Sequence, residues 1–182
     1  METIQTTSSR DLIVRYGILG GLAAIIYGLL TNILGWNNPN SGMGMVVVSG
    51  IISLVIYAGF LVAVVKKHRD ENLGGYISFG TAFTTAFLTA LIIGALSSVF
   101  QVVYINYIDP SFIESMLEYT REMMENMGLS DEQLEEAMER SREGYKPGRF
   151  ILSALFGSSF FGLITALIVA AVLNKKEPMF QP

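Results

Sequence analysis

Residues 16 to 65 contain no Asp, Glu, Lys or Arg, and the strongest break in that run is Asn37-Asn38-Pro39-Asn40-Ser41-Gly42. An α-helix rises about 1.5 Å per residue and a bilayer's hydrocarbon core is about 30 Å thick, so roughly 20 apolar residues cross it. The pattern predicts spans over about 16–35 and 44–65, joined by a tight turn at the Asn/Pro cluster. Two later stretches, 79–107 and 150–173, are also free of formal charge and predict a third and a fourth span. Between them the period becomes that of an amphipathic helix, with Phe112, Ile113, Met116, Leu117, Met123, Met124 and Met127 mostly three or four apart. Gly128 ends that helix, and Ser130 with Gln133 forms a capping-box pattern that starts a second one, running to about Glu143. Lys146-Pro147-Gly148 is expected to stop it before the membrane. The fold class expected is all-α: a four-helix integral membrane bundle, one membrane domain over 1–182, with an amphipathic helical hairpin (109–148) inserted between spans three and four.

Composition supports this reading. Hydrophobic residues make up 51% of the 182 and the mean hydropathy is +0.47, more apolar surface than a water-soluble domain of this size can cover. The chain has no cysteine, which excludes disulfides, thiolate nucleophiles and cysteine-bound metals. Arg10 and Arg15 ahead of an apolar run resemble a signal peptide, but the run is too long for an h-region and no small-x-small cleavage site follows in polar sequence. The segment therefore reads as an uncleaved first span, and without a lipidation motif anchoring rests on the helices.

Charge sets the expected orientation. Lys and Arg near span ends stay on the cytoplasmic side. Arg10 and Arg15 precede span one, Lys66, Lys67 and Arg69 separate spans two and three, and Lys175 and Lys176 follow span four, whereas the first connection has none. The segment after span three holds Arg121, Arg140, Arg142, Lys146 and Arg149, the last two close to span four, but they are spread over about forty residues that also carry eleven Asp and Glu, so both termini are expected in the cytoplasm with 109–148 outside it. The Lys66-Lys67-His68-Arg69 cluster reads as a topology signal rather than a headgroup site. His68, the only histidine, reads as a solvated loop residue.

Small residues mark candidate packing faces, because membrane helices associate through close backbone approach. Ala82, Ala86, Ala90, Gly94 and Ser98 recur every four residues in span three, and Ala154, Ser158, Gly162, Ala166 and Ala170 do so in span four. Span one offers Gly20, Ala24 and Gly28, with Gly17 and Gly21 alongside. Spans three and four are expected to pack together with span one closing on one of them; a homodimer through the same faces is the rival reading. The polar residues within the spans are mild, and none of the Asp, Glu, Lys, Arg or His groups that ion-coupled transporters place at membrane depth is there.

The segment from Arg69 to Phe83, RDENLGGYISFGTAF, resembles the signature of a bacterial membrane family known as domain of unknown function 4199. Its elements are a charged turn, Gly74-Gly75, the aromatic Tyr76, and Ser78-Phe79-Gly80 opening the third span. The resemblance extends over residues 10–176 and implies a bacterial inner-membrane protein with no known activity. Physically, Gly74 and Gly75 suit a turn with unusual backbone angles, and Tyr76 and Phe79 suit the headgroup belt. The motif is therefore read as an interfacial bend.

The function expected is that of a noncatalytic integral membrane protein acting through protein or lipid association. Its expected partners are the bilayer, a protein docking on hairpin 109–148, and a second copy of the chain. A small-solute channel or carrier lined by Thr84, Thr85, Thr89, Ser97 and Gln101 is the alternative. No catalytic residue, cofactor or metal is assigned: Ser158 and Ser159 have no base in sequence reach, and Glu132, Glu135, Glu136 and Glu139 lack the spaced Asp or Asn and the Gly of a calcium loop. Nucleic acid is excluded as a partner because the one extended polar region is acidic.

Overall fold

The computed structural model describes residues 8–36 and 42–176. Its helices are α1 (Ser9–Ile33), α2 (Met43–Lys67), α3 (Phe79–Val103), α4 (Ser111–Asn126), α5 (Asp131–Gly144) and α6 (Pro147–Leu173). Four helical stretches are long and apolar enough to cross a membrane: Ser9–Ile33, Gly44–Asn72, Phe79–Ile108 and Pro147–Leu173. The predicted turn at residues 37–41 lies outside the described residues.

Three boundaries differ from expectation, each for a local reason. The first helix begins at Ser9 rather than near residue 16, because the Ser8 side chain accepts from the Arg10 backbone N–H and Leu12 is fully buried. The second does not stop at Val65. It continues as a wide π turn over His68–Asn72, with Lys67 paired to Glu71 one turn on. The last span starts at Pro147 rather than at Phe150, although α5 stops at Gly144, ahead of Lys146-Pro147-Gly148 as expected: Lys146 is extended, and Pro147 occupies the first turn of α6, where its missing N–H removes no helical hydrogen bond.

α3 is the central element, packing on α6 along one side and on α1 along another, while α2 touches α1, α3 and α6. Close approach is set by missing side chains. A Cβ on Gly17 would lie 2.7 Å from Ile92, one on Gly20 2.7 Å from Ile93, and one on Gly21 2.6 Å from Leu96, so α1 meets α3 across bare backbone. On the other side, a Cβ on Gly162 would be 3.0 Å from Ala90 Cβ. Gly28, expected in the α1 ridge, faces open space instead.

The buried core is uneven along the bundle. Leu12, Leu61, Val64, Val65, Ile77, Ala82, Ala86, Ala166 and Ala170 crowd the end where α1 begins and α2 and α6 finish. Toward the other end Ala154 and Ser158 of α6 are only half-buried, and α2 from Gly44 to Val55 is exposed except at Ser49 and Ile52. At that end α4 contacts α5, and α5 contacts α6. The Ser130–Gln133 capping box starts α5, and Gly128, at φ +77°, lies just beyond α4. Leu134 and Met138 are the buried residues of α5, whereas Met123 and Met127 are exposed.

Candidate functional site

The family-like segment forms the closed end of the bundle. Gly74 and Gly75 adopt φ of +62° and +90°, which reverses the chain after the π turn, and the Gly75 N–H donates to the Arg69 carbonyl at 2.9 Å. Ile77 then pairs with Lys175 through two backbone hydrogen bonds of 3.0 and 2.9 Å, tying the α2–α3 connection to the end of α6. The Lys175 ammonium lies 5.2 Å from the centre of the Tyr76 ring. Ser78 caps α3 by accepting from the Thr81 N–H, and Phe79, Phe83 and Phe87 stack along the next two turns at 6.5 and 5.6 Å. Gly80 is exposed with nothing near it.

His68 corrects the sequence reading most sharply. It is 5% exposed, not solvated. Its Nε2 lies 2.8 Å from Ser9 Oγ and its Nδ1 2.8 Å from Thr85 Oγ1, so one ring joins α1, the π turn and α3. Thr85 donates its hydroxyl proton to the Thr81 carbonyl at 2.8 Å and therefore accepts from Nδ1–H. With the ring neutral, Nε2 then accepts from the Ser9 hydroxyl, and both nitrogens are satisfied. The residue was legible in principle: Leu61, Val64, Val65 and His68 fall at i, i+3, i+4 and i+7, one continuous face of α2.

Toward the opposite end the helices part around a cavity of about 440 Å³ walled by all four long helices, among them Tyr27, Ser53, Tyr57, Ser97, Ser158 and Phe161. Tyr27 donates to the Ser49 carbonyl at 2.9 Å, linking α1 to α2 at its rim. Gly94 and Ser158 approach so closely that a Cβ on Gly94 would meet the Ser158 hydroxyl at 2.5 Å. A smaller cavity of about 60 Å³ adjoins it through Ala24 and Ser97 and reaches Asn32, Gln101 and Tyr104.

The five polar residues considered for a solute path do not share a lumen. Thr84, Thr85 and Thr89 each donate to a carbonyl one turn back in α3, and Thr84 faces outward. Ser97 and Gln101 line the cavities just described. Of the small-residue series, Ala82, Ala86, Ala90, Gly94 and Ser98 are all buried in α3, and Gly162, Ala166 and Ala170 are buried in α6.

Outside the bundle a groove of about 860 Å³ runs between α4 and α5, with Leu117, Leu134 and Met138 flanked by Glu118, Arg121, Glu135, Glu139 and Arg142. At the junction with α6, Glu143 pairs with Lys146 at 3.1 Å and Arg149 at 2.7 Å. The Lys146 hydrogen bond holds the Glu143 carboxyl below the usual carboxylate range, and burial pushes the Tyr145 phenol up. Among the described residues no three His, Asp or Glu side chains converge as a metal site requires.

No curated protein and no solved structure matches this chain. The family model described as "Protein of unknown function (DUF4199)" matches residues 15–175, and the chain belongs to that family.

Proposed function

We propose that this chain is a noncatalytic integral membrane protein of a bacterial inner membrane that acts by association. Both termini face the cytoplasm, α4 and α5 form an extracytoplasmic hairpin, and that hairpin is the contact surface for a partner protein. The observation that carries the reading is the α4–α5 groove, whose apolar floor of Leu117, Leu134 and Met138 is rimmed by charges of both signs. An apolar floor with a polar rim is how protein interfaces are built. The orientation follows from the basic residues. Ser9 touches His68, and Lys175 touches Tyr76, so Arg10, Lys66, Lys67, Arg69 and Lys175 gather at the closed end, opposite α4 and α5.

The noncatalytic reading is supported by how the polar groups are used. Ser9, His68 and Thr85 have the connectivity of a nucleophile, a base and an orienting group. A threonine hydroxyl brings no negative charge to stabilise an imidazolium, which is what the third member of such a triad supplies. Here the series ties three helical segments together.

Cross-linking in intact cells tests the reading. Replacing residues 111–144 by a flexible linker, and separately making Arg121→Glu with Arg142→Glu, should each remove the same cross-linked protein. A partner set unchanged in both variants would refute association through α4 and α5.

A further inference from the structure

Arg10 and Arg15 are left uncommitted by the fold. At the same closed end Lys67 pairs with Glu71, Arg69 pairs with Asp70, and Lys175 lies over Tyr76. The side chains of Arg10 and Arg15 make no hydrogen bond or ion pair, and neither does that of Asp11, one turn before Arg15. All three line one open recess of about 530 Å³ on the outward face of α1, completed by Val14, Ile18 and Leu19. Those three apolar side chains are close to half-exposed, and no other helix contributes to the recess.

Depth indicates what covers this face. The uncharged run of α1 begins at Tyr16, and residues 16–33 rise about 27 Å, close to the ~30 Å of a hydrocarbon core. Arg15 therefore stands at the hydrocarbon edge, with Arg10 about 7.5 Å farther out along the helix. The headgroup layer on each side of a bilayer is about 5–7 Å thick, so the two guanidiniums bracket the level of the lipid phosphates. Ile18 and Leu19 lie on the hydrocarbon side of Arg15, and the exposed face continues inward through Leu22 and Ile26, along the path of an acyl chain.

Charge narrows the occupant further. Two guanidiniums and one carboxylate leave the recess with a net charge of one positive unit, the complement of a single phosphodiester. A planar guanidinium fork matches the oxygens of a phosphate, and Asp11 remains to accept from a headgroup hydroxyl. A choline headgroup brings neither a net negative charge nor a donor. We infer that the outward face of α1 holds one anionic phospholipid, its phosphate between Arg10 and Arg15 and an acyl chain along Val14, Ile18 and Leu19. The inference rests on the membrane placement proposed above and is independent of any partner of α4 and α5.

The test is native mass spectrometry of the full chain released from detergent micelles that contain equal amounts of dioleoyl phosphatidylglycerol and dioleoyl phosphatidylcholine. One phosphatidylglycerol should be retained about tenfold more often than phosphatidylcholine. Arg10→Gln with Arg15→Gln should bring that ratio close to one, with phosphatidylcholine retention unchanged. Lys66→Gln with Lys176→Gln removes as much charge from exposed positions at the same end and should leave the ratio as it was. Glycerophosphoglycerol, the headgroup without its chains, should not displace the lipid even in large excess. A ratio of one in the unaltered chain, a preference that survives the arginine variant, or one lost equally in the lysine variant would overturn the inference. Displacement by glycerophosphoglycerol would also overturn it, by assigning the recess to soluble phosphodiesters. Retention of neither lipid would overturn the membrane placement and the inference with it.

Discussion

His68 shows how a single residue can be misplaced by its neighbours in sequence. Lys66, Lys67 and Arg69 surround it, and charge on either side reads as solvent. The helix continues through these residues, so its periodicity carries the ring inward with Leu61, Val64 and Val65 while Lys66 stays exposed. Once inside, the ring is retained because both nitrogens are bonded, to Ser9 and Thr85. His68→Ala should lower stability in detergent micelles by about 2–3 kcal/mol, since it removes packing and leaves the Ser9 hydroxyl without its acceptor. Thr85→Val should be destabilising as well, and the double variant should lose about 1 kcal/mol less than the sum. Denaturant unfolding of the four proteins checks this, and strict additivity would show that the ring and Thr85 do not depend on each other.

At the scale of the elements, the faces of α3 and α6 were legible because a four-residue step keeps small side chains on nearly one line. Which glycine in a row carries the contact was not legible. Gly17, Gly20 and Gly21 are pressed against α3 whereas Gly28, in the same series, faces a gap, because α1 and α3 separate toward the open end. Gly94→Ala should cost about 1–3 kcal/mol, as its Cβ would fall 2.8 Å from Ser158 Cβ and force α3 from α6. Adding Ser158→Gly should recover most of that loss, and Gly28→Ala should cost nothing. Thermal unfolding of the three variants in micelles checks the set; a Gly28→Ala penalty equal to that of Gly94→Ala would mean that helix spacing is not what these glycines control.

At the scale of the molecule, Arg10, Lys66, Lys67, Arg69 and Lys175 collect at one end and α4 and α5, with Arg121, Arg140, Arg142, Lys146 and Arg149 in or beside them, lie at the other, which makes topology directly testable. The chain has no cysteine, so Ser8→Cys and Glu132→Cys each provide one reactive thiol. A membrane-impermeant maleimide applied to intact cells should label the Glu132→Cys protein alone, and labelling of Ser8→Cys alone would invert the orientation. The sequence by itself determined the number of apolar helices, the capping of α5, the polar character of residues 109–148 and the family-like turn. These depend on runs, spacings and local hydrogen bonds that a chain displays without being folded. Only the tertiary structure decided that His68 is interior, that Pro147 begins a helix, and that the four long helices part around one cavity. Those facts depend on where separate helices converge and diverge, and the distance between two helices is a property of the packed side chains of both.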